Sequence, residues 1–421
     1  MKKQILCLTA AMALLCACAA RHAPASGQSS ATATSVPPAA EVIRTGEMRA
    51  LSAGNEEGYY LTGNRDDDQL LCYIDYEQAV EVPLCTSPSC AHDSETCTAW
   101  IPGDQFISSL VSVNENTIAF IRNPSDGAQT IEAADATGAN RRTLYTAEEG
   151  QFLQTIACAD DEALYCIWED ASENALEMKV GRIPLNGGEA EVLSAYPDPA
   201  PELKGVSGND FVLYQYKWGD TPEETEATGG EHSVLLWNMV TGEETMLDTW
   251  HSEPGSSGRT VCWHDGRLYW TASDAADAIH WMDTEGGAGQ TEVTWPEEVT
   301  AAAETTFTLE RIVDGQALVT VWGPWGTDLL KRYVVDLSGD STAAAEIPLR
   351  FVSNASERPI VILAETDGEL LVHFAQQDSF ATQVQEDGYP SKTVEITNRY
   401  GMISWQNFLA GIPDYREITA P

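Results

Sequence analysis

Three cysteines and one histidine lie close together in this sequence, and their side chains are ligands for a soft metal ion. The segment runs from Cys85 through Cys90 and His92 to Cys97. Three thiolates and one imidazole can close a tetrahedral Zn²⁺ site, which would be structural because no position stays open for catalysis. In an oxidising compartment the same cysteines can form one disulfide and leave a spare thiol. Both alternatives stay open, with zinc as the expected ion if the group binds metal.

The remaining cysteines of the body are expected to be structural. Cys72, Cys158, Cys166 and Cys262 each lie inside an apolar run that alternates like a strand. Free cysteine in such a run behaves as a small buried hydrophobe. These four residues are therefore predicted to pack in the core.

The elements that must position the cysteine group repeat along the chain. A polar turn pair followed by an alternating apolar or aromatic run occurs seven times, and the turn pairs are spaced 46–59 residues apart. The turn pairs begin at Asn55, Asn114, Asp160, Asn209, Asp265, Asp314 and Asp367. Such a period, built from strands alone, is typical of a β-propeller.

Each repeat also contains a second turn, so two hairpins make one four-stranded blade. We predict an all-β protein with a single β-propeller over residues 41–421, with seven four-stranded blades and six or eight as alternatives. Either 41–46 or 415–418 is expected to supply the strand that closes the ring. A long loop is expected at 376–392.

The order of the strands also predicts a binding face. The cysteine group is expected between the last strand of blade one and the first strand of blade two, on the same face as the loops that join second to third strands. That face would carry Trp218, Trp322 and Trp325. Aromatic side chains on loops can stack on sugar rings or clamp a peptide. The alternative is that these tryptophans only cap blade edges.

The charge of the chain restricts its partners. The 421 residues carry 65 acidic and 23 basic side chains, for a formal net charge of −42. Nucleic acids and anionic lipid surfaces bind proteins through basic faces, so neither is an expected partner of the body. No nucleophile elbow, P-loop or H-E-x-x-H pattern occurs, and a non-enzymatic protein is expected.

The N-terminus predicts a compartment. Lys2 and Lys3 precede an apolar run at 5–15, which is too short to span a membrane and is typical of a cleavable signal over 1–17. Its end, Leu15-Cys16-Ala17-Cys18, resembles the lipobox of bacterial lipoproteins. The resemblance implies cleavage before Cys18 and a lipid on that cysteine. Residues 18–40 then form a flexible tether, with the body at the extracellular face of the membrane.

Two further resemblances concern the body. The segments 74–77, 82–85 and 90–92 with Cys97, together with 402–408 and 413–416, resemble a group of uncharacterised surface lipoproteins of anaerobic Gram-positive gut bacteria. The repeat at 134–142 is similar to blades of TolB-like and YWTD-type propellers. Both resemblances imply a propeller and bring no activity with them. The expected function is that of a lipid-anchored surface protein binding a glycan, peptide or protein; a propeller enzyme acting on glycans or peptides and a purely structural module are the alternatives.

Overall fold

The computed structural model describes residues 48–420 except 66–67, 88, 172–175, 198–199, 218–227, 255–257, 275, 303, 325–329, 354–355 and 385–389. All described residues belong to Glu41–Pro421, which separates from Met1–Ala40 by its internal contacts. The predicted signal peptide, Cys18, the tether and the 41–46 segment therefore lie outside the described residues. No helix in the described part of the chain is long and apolar enough to cross a membrane.

Antiparallel sheets follow one another along the chain. The chain begins with β1 (Arg49–Ala50), and the first sheet holds β2 (Gly58–Arg65), β3 (Asp68–Asp75), β4 (Val80–Pro83) and β5 (Trp100–Ile101). The second holds β6 (Gln105–Asn114), β7 (Thr117–Pro124), β8 (Thr130–Asp135) and β9 (Arg142–Thr146). The third holds β10 (Gln151–Ala159), β11 (Ala163–Asp170), β12 (Glu177–Pro184) and β13 (Glu191–Pro197), and the fourth β14 (Glu202–Ser207), β15 (Asp210–Lys217), β16 (Gly230–Asn238) and β17 (Glu244–Ser252).

Three more sheets complete the series. The fifth holds β18 (Arg259–His264), β19 (Arg267–Ala272), β20 (Ala278–Asp283) and β21 (Ala288–Thr294), followed by the short helix α1 (Glu297–Thr300). The sixth holds β22 (Thr306–Val313), β23 (Gln316–Trp322), β24 (Leu330–Asp336) and β26 (Ala345–Ile347), while β25 (Ser341–Ala343) pairs in parallel with β21. A hairpin of β27 (Arg350–Ser353) and β28 (Ser356–Pro359) leads to the seventh, with β29 (Val361–Glu365), β30 (Glu369–Val384), β31 (Pro390–Ser404), the helix α2 (Trp405–Leu409) and β32 (Arg416–Glu417).

Apolar clusters join every sheet to the next. In the described residues there are seven such clusters, and each draws side chains from two successive sheets. One of them contains Ile74 of the first sheet together with Leu371 and Met402 of the seventh, so the series closes into a ring. The protein is a seven-bladed β-propeller with four-stranded blades, which confirms the predicted fold. Face-to-face packing of blades buries both surfaces of each sheet, which one blade alone could not do.

The strand directions give the ring two different faces. The first-to-second-strand turns and the third-to-fourth-strand turns meet on one face, which we call the turn face. Asp265 and Gly266 form one of these turns with φ values of 46° and 74°, the conformation of a tight type I′ hairpin. The second-to-third-strand loops and the connections between blades meet on the opposite face, which we call the loop face.

The two ends of the body lie at defined places in the ring. The C-terminal alternative for ring closure is correct, because Arg416–Glu417 forms the fourth strand of blade seven. Arg416 donates hydrogen bonds to the backbone oxygens of Tyr76 and Glu77 in blade one. At the other end, Arg49–Ala50 pairs with the first strand of blade three. Met48 belongs to the same apolar cluster as Met239, which follows the third strand of blade four at the turn face.

The loop expected at 376–392 is mostly a long hairpin. Strand β30 has 16 residues, against seven for the second strand of blade six, and it pairs with β31 from Glu369 to Val384. Its outer part is too polar to show the apolar alternation of a buried strand. Hydrogen bonds between the two strands form without that alternation, so the sequence pattern did not reveal them.

Candidate functional site

The cysteine group lies in a loop inserted into the edge of blade one. Strands β4 and β5 both pair with β3 in the same direction, so they are two halves of one interrupted strand. The Leu84 N–H donates to the Leu71 oxygen (2.8 Å), and the Leu71 N–H donates to the Ala99 oxygen (2.8 Å). The chain thus leaves the sheet at Leu84 and rejoins it at Ala99, and both residues are bonded to Leu71. We call residues 84–99 the cysteine loop.

This location corrects the prediction from sequence. The cysteine group was expected after the last strand of blade one, on the loop face. It instead interrupts that strand, because Trp100–Ile101 continues the ladder after the loop. A two-residue strand carries no periodicity that could show it in the sequence.

Short turns bring the four side chains together. The Cys90 N–H donates to the Ser87 oxygen (3.1 Å), and the Cys97 N–H donates to the Ser94 oxygen (2.9 Å). The ligand atoms of Cys85, Cys90, His92 and Cys97 all lie within 4.8 Å of one another. His92 Nδ1 is 3.2 Å from Cys97 Sγ. Sulfur ligands around one zinc ion lie about 4 Å apart, given Zn–S bonds of about 2.3 Å, so this group could hold a metal ion.

The thiols of this group differ in how readily they ionise. Burial opposes ionisation of Cys85, but hydrogen bonds to the Ser87 backbone and to Cys90 and Cys97 outweigh it and lower the pKa of the Cys85 thiol. Burial is also the largest effect at Cys97, where it raises the pKa to about 11 with help from Cys90 and Cys85. A bound cation would favour the thiolate at every position, because metal binding displaces thiol protons.

The backbone of the group and its thiols are consistent with a ligand site. His92 has a φ of 55°, in the left-handed region that costs a residue with a Cβ about 1–3 kcal/mol. A strained backbone conformation of this kind persists only where the surrounding contacts hold it.

All seven described cysteines are free, so the cysteine loop contains no disulfide in this structure. Cys72, Cys158 and Cys166 are buried as predicted, and Cys262 is partly buried.

The cysteine loop also contacts blade two. Thr98 Oγ1 donates to the Leu84 oxygen (2.7 Å), which ties the two ends of the loop together. Arg141 donates hydrogen bonds to the oxygens of Thr98 and Trp100. A Cβ on Gly138 would lie only 2.5 Å from the Leu84 oxygen. The turn between β8 and β9 therefore fits closely against the loop.

The three predicted tryptophans are only partly described. Trp322 is the last residue of β23, at the loop face, where it is half-buried and pairs with Thr306 and Leu330. Trp218 and Trp325 lie outside the described residues. The structure does not bring Trp322 together with the cysteine group, because the latter lies at the outer edge of blade one.

A cleft between blades two and three lies on the loop face. It measures about 560 Å³, and Phe106 and Phe152 line it. These two rings are 52% and 56% exposed. Each occupies the second position of the first strand of its blade. The sequence shows two ordinary apolar strand positions here, so nothing in it distinguishes these phenylalanines from buried ones.

Comparisons with known proteins support the fold. No protein-family model and no curated protein matches the sequence. A solved prolyl endopeptidase matches with a TM-score of 0.51 and 11% identity over 87% of this chain, which spans 55% of that chain. The β-propeller domain of the Trilobed protease from Pyrococcus furiosus matches with a TM-score of 0.43 and 11% identity, covering 84% of this chain and 98% of that domain. TolB from Acinetobacter baumannii has a TM-score of 0.31 and 11% identity, with 80% of each chain covered. At 11% identity, the match with the prolyl endopeptidase shows a shared fold and assigns no activity to this chain.

Proposed function

We propose that this protein is a non-enzymatic β-propeller that binds a glycan, peptide or protein ligand at the outer face of the cell membrane. The observation that carries the proposal is the cleft on the loop face, which is lined by the exposed rings of Phe106 and Phe152. Ligand sites are typically concave, largely apolar and about 300–1,000 Å³ in volume. The ring of blades holds the walls of this cleft in fixed positions.

The described part of the chain begins at the turn face. Met48 packs at the turn face, and Arg49 forms an ion pair with Asp161 of the same face (2.9 Å). The anchor itself is proposed from the resemblance of residues 15–18 to a lipobox.

Zinc is the metal that we propose for Cys85, Cys90, His92 and Cys97. Four protein ligands with three sulfurs suit tetrahedral Zn²⁺, and a closed site of this kind stabilises a loop without taking part in catalysis. Its role would be to hold the cysteine loop against Arg141 and Gly138 of blade two. The remaining alternative for these residues is a disulfide with a spare thiol.

A propeller enzyme is the competing function. Glycan-cleaving enzymes need paired carboxyl groups, one of which keeps its proton because its pKa is raised. Burial raises the pKa of the Glu81 carboxyl group, but this residue contacts Cys72 at the edge of blade one. Glu81 does not line the cleft and lies in a different blade from Trp322, so its raised pKa favours a structural role.

An array of glycans and peptides tests the function. The probe is the purified chain carrying Cys18→Ser, which removes the lipid-acceptor thiol. We expect retention of at least one ligand class without chemical change, as judged by mass spectrometry of the bound ligand. Cleavage of the ligand would support the enzyme, and an array without any retained ligand would support the structural module.

Cell fractionation of the wild type and of Cys18→Ser tests the anchor. We expect the wild type in the membrane fraction and the variant in the soluble one. Equal distribution of the two proteins would contradict lipid attachment at Cys18.

A further inference from the structure

The exposed phenylalanines are specific to blades two and three. The second residues of the first strands of blades six and seven are Phe307 and Ile362, and both are only 6% exposed. In blades four and five the second residues are Leu203 and Thr260, which are partly buried. Phe106 and Phe152 instead expose their rings in the cleft, where an apolar group of a ligand could contact them.

The walls of the cleft are fixed by hydrogen bonds that use its amide groups. The Gln129 side-chain oxygen accepts from the Leu153 N–H (2.7 Å), and the Gln151 side-chain oxygen accepts from the Glu148 N–H (3.0 Å). These bonds tie the loops of blade two to the first strand of blade three. The cleft is therefore formed before a ligand arrives, which reduces the entropy cost of binding.

Carboxylates form the charged part of the rim. Glu148 and Glu149 line the cleft, and Asp126 lies in the loop next to the lining residue Gly127. Neither Glu148 nor Glu149 forms an ion pair among the described residues, and no Lys or Arg lines the cleft there. The nearby guanidinium of Arg122 is already paired with Glu132 (2.6 Å). The rim thus has negative charge without a partner.

We propose that this cleft binds a cationic peptide segment, in which a Lys or Arg side chain lies next to an apolar side chain. The inference rests on the proposed binding function and names the ligand class. The apolar side chain would fill the space between the two rings. The cation would meet the rim carboxylates and the ring faces, which attract cations through their quadrupole. A second copy of this chain is disfavoured, because its net charge of −42 would bring like charge to the rim.

Calorimetric titration with short blocked peptides tests this assignment. The protein is the full chain carrying Cys18→Ser, and the probe is acetyl-Gly-Leu-Arg-Phe-Gly-amide, with Glu in place of Arg as the comparison peptide. We expect the Arg peptide to bind and the Glu peptide to bind at least about tenfold more weakly, with the affinity falling as salt rises. Equal binding of the two peptides would overturn the proposal.

Variants locate the site. Phe106→Ala and Phe152→Ala should each weaken binding about tenfold, since exposed aromatic anchors dominate such interfaces. The double change Glu148→Gln and Glu149→Gln should weaken binding of the Arg peptide several-fold and reduce the salt dependence of its affinity.

Two matched controls should bind the Arg peptide like the wild type. They are Met246→Ala, on a residue 55% exposed in blade four, and Glu243→Gln at the turn face.

The outcomes separate this inference from the broader function. Unchanged binding by the cleft variants, at unchanged melting temperature, would overturn the inference. If the array retains only a glycan, the binding function stands and the peptide assignment fails. If the array retains nothing and the Arg peptide does not bind, both fail.

Discussion

His232 shows how a single side chain couples the fold to pH. It is 5% exposed on β16, and both of its ring nitrogens have partners. Nδ1 is 2.7 Å from the Tyr214 hydroxyl, and Nε2 is 2.9 Å from Ser252 Oγ. The Trp250 ring stacks on the imidazole at 5.0 Å, and the Arg259 guanidinium lies over the indole, 4.5 Å from its centroid. Burial, with the positive charge of Arg259, lowers the pKa of His232 to about 4.

This lowered pKa predicts acid sensitivity. The ordinary value is 6.5, so between about pH 6.5 and pH 4 the unfolded chain binds a proton at this histidine and the native protein does not. Stability from this group is complete above that window and is lost as the pH falls through it. Glu231 opposes the shift slightly, and His251 adds to it.

Urea titrations of the wild type and His232→Gln across pH 4 to 7.5 measure this effect. We expect the wild type to be more stable than the variant at pH 7.5, with a difference that shrinks toward pH 4. A difference that stays constant over the whole range would show that His232 does not titrate as its surroundings require.

The residue scale also shows what the sequence could reveal. The ligand set Cys85, Cys90, His92 and Cys97 was predictable, because all four residues are close in sequence and chemically distinctive. Phe106 and Phe152 were not, because 46 residues separate them and their exposure depends on how two blades meet. Strand alternation predicts which residues share a face, but an interface between blades decides which of them is covered.

At the scale of elements, the turn between β8 and β9 is matched to the cysteine loop. Gly138 has a φ of 78°, and a Cβ there would also lie 2.9 Å from the Leu84 Cβ. Gly187, in the corresponding turn of blade three, has a similar φ of 83° with nothing within 4 Å of an added Cβ. The two glycines therefore share the backbone conformation and differ only in the space around them.

We predict that Gly138→Ala destabilises the protein by about 1–3 kcal/mol more than Gly187→Ala, because it adds a steric conflict with the cysteine loop to the shared backbone strain. Denaturant unfolding of the two variants measures the difference. Equal losses would show that the loop moves away freely and does not hold blade two.

Two elements were not predictable from the sequence, and the reasons are related. Blade one was expected to end before the cysteine group, because the cysteine loop hides the continuation of its last strand at Trp100–Ile101. The outer part of the β30–β31 hairpin is predicted as a loop. Its two strands pair only with each other there, so neither needs the apolar alternation that indicates a strand in the sequence. The seven repeats were predictable, since each blade needs the same turn residues and the same apolar alternation.

At the scale of the whole molecule, closure of the ring depends on contacts between residues more than 300 positions apart. Arg416 donates to the Tyr76 oxygen (2.5 Å) and forms an ion pair with Glu369 (3.0 Å). The Thr419 N–H donates to the Ala79 oxygen (3.0 Å). The bonds to Tyr76 and Ala79 join blade seven to blade one beside their shared apolar cluster, whereas the ion pair with Glu369 holds Arg416 within blade seven.

We predict that Arg416→Ala lowers the free energy of unfolding by about 1–2 kcal/mol, because the Tyr76 oxygen loses its charged donor. The exposed Arg358 provides the control, and Arg358→Ala should change stability by less than about 0.5 kcal/mol. Thermal unfolding followed by circular dichroism compares them. Equal effects of the two variants would mean that closure rests on the apolar cluster alone.

The proposed role of the cysteine loop depends on one claim, that Cys85, Cys90, His92 and Cys97 together hold a zinc ion. Metal analysis of purified protein, by mass spectrometry of the elements, tests this claim most directly. We expect about one zinc ion per chain in the wild type and in the control Cys262→Ser, and almost none in Cys90→Ser or His92→Ala. Wild-type protein without stoichiometric zinc, with two cysteines of the loop joined in a disulfide, would contradict it.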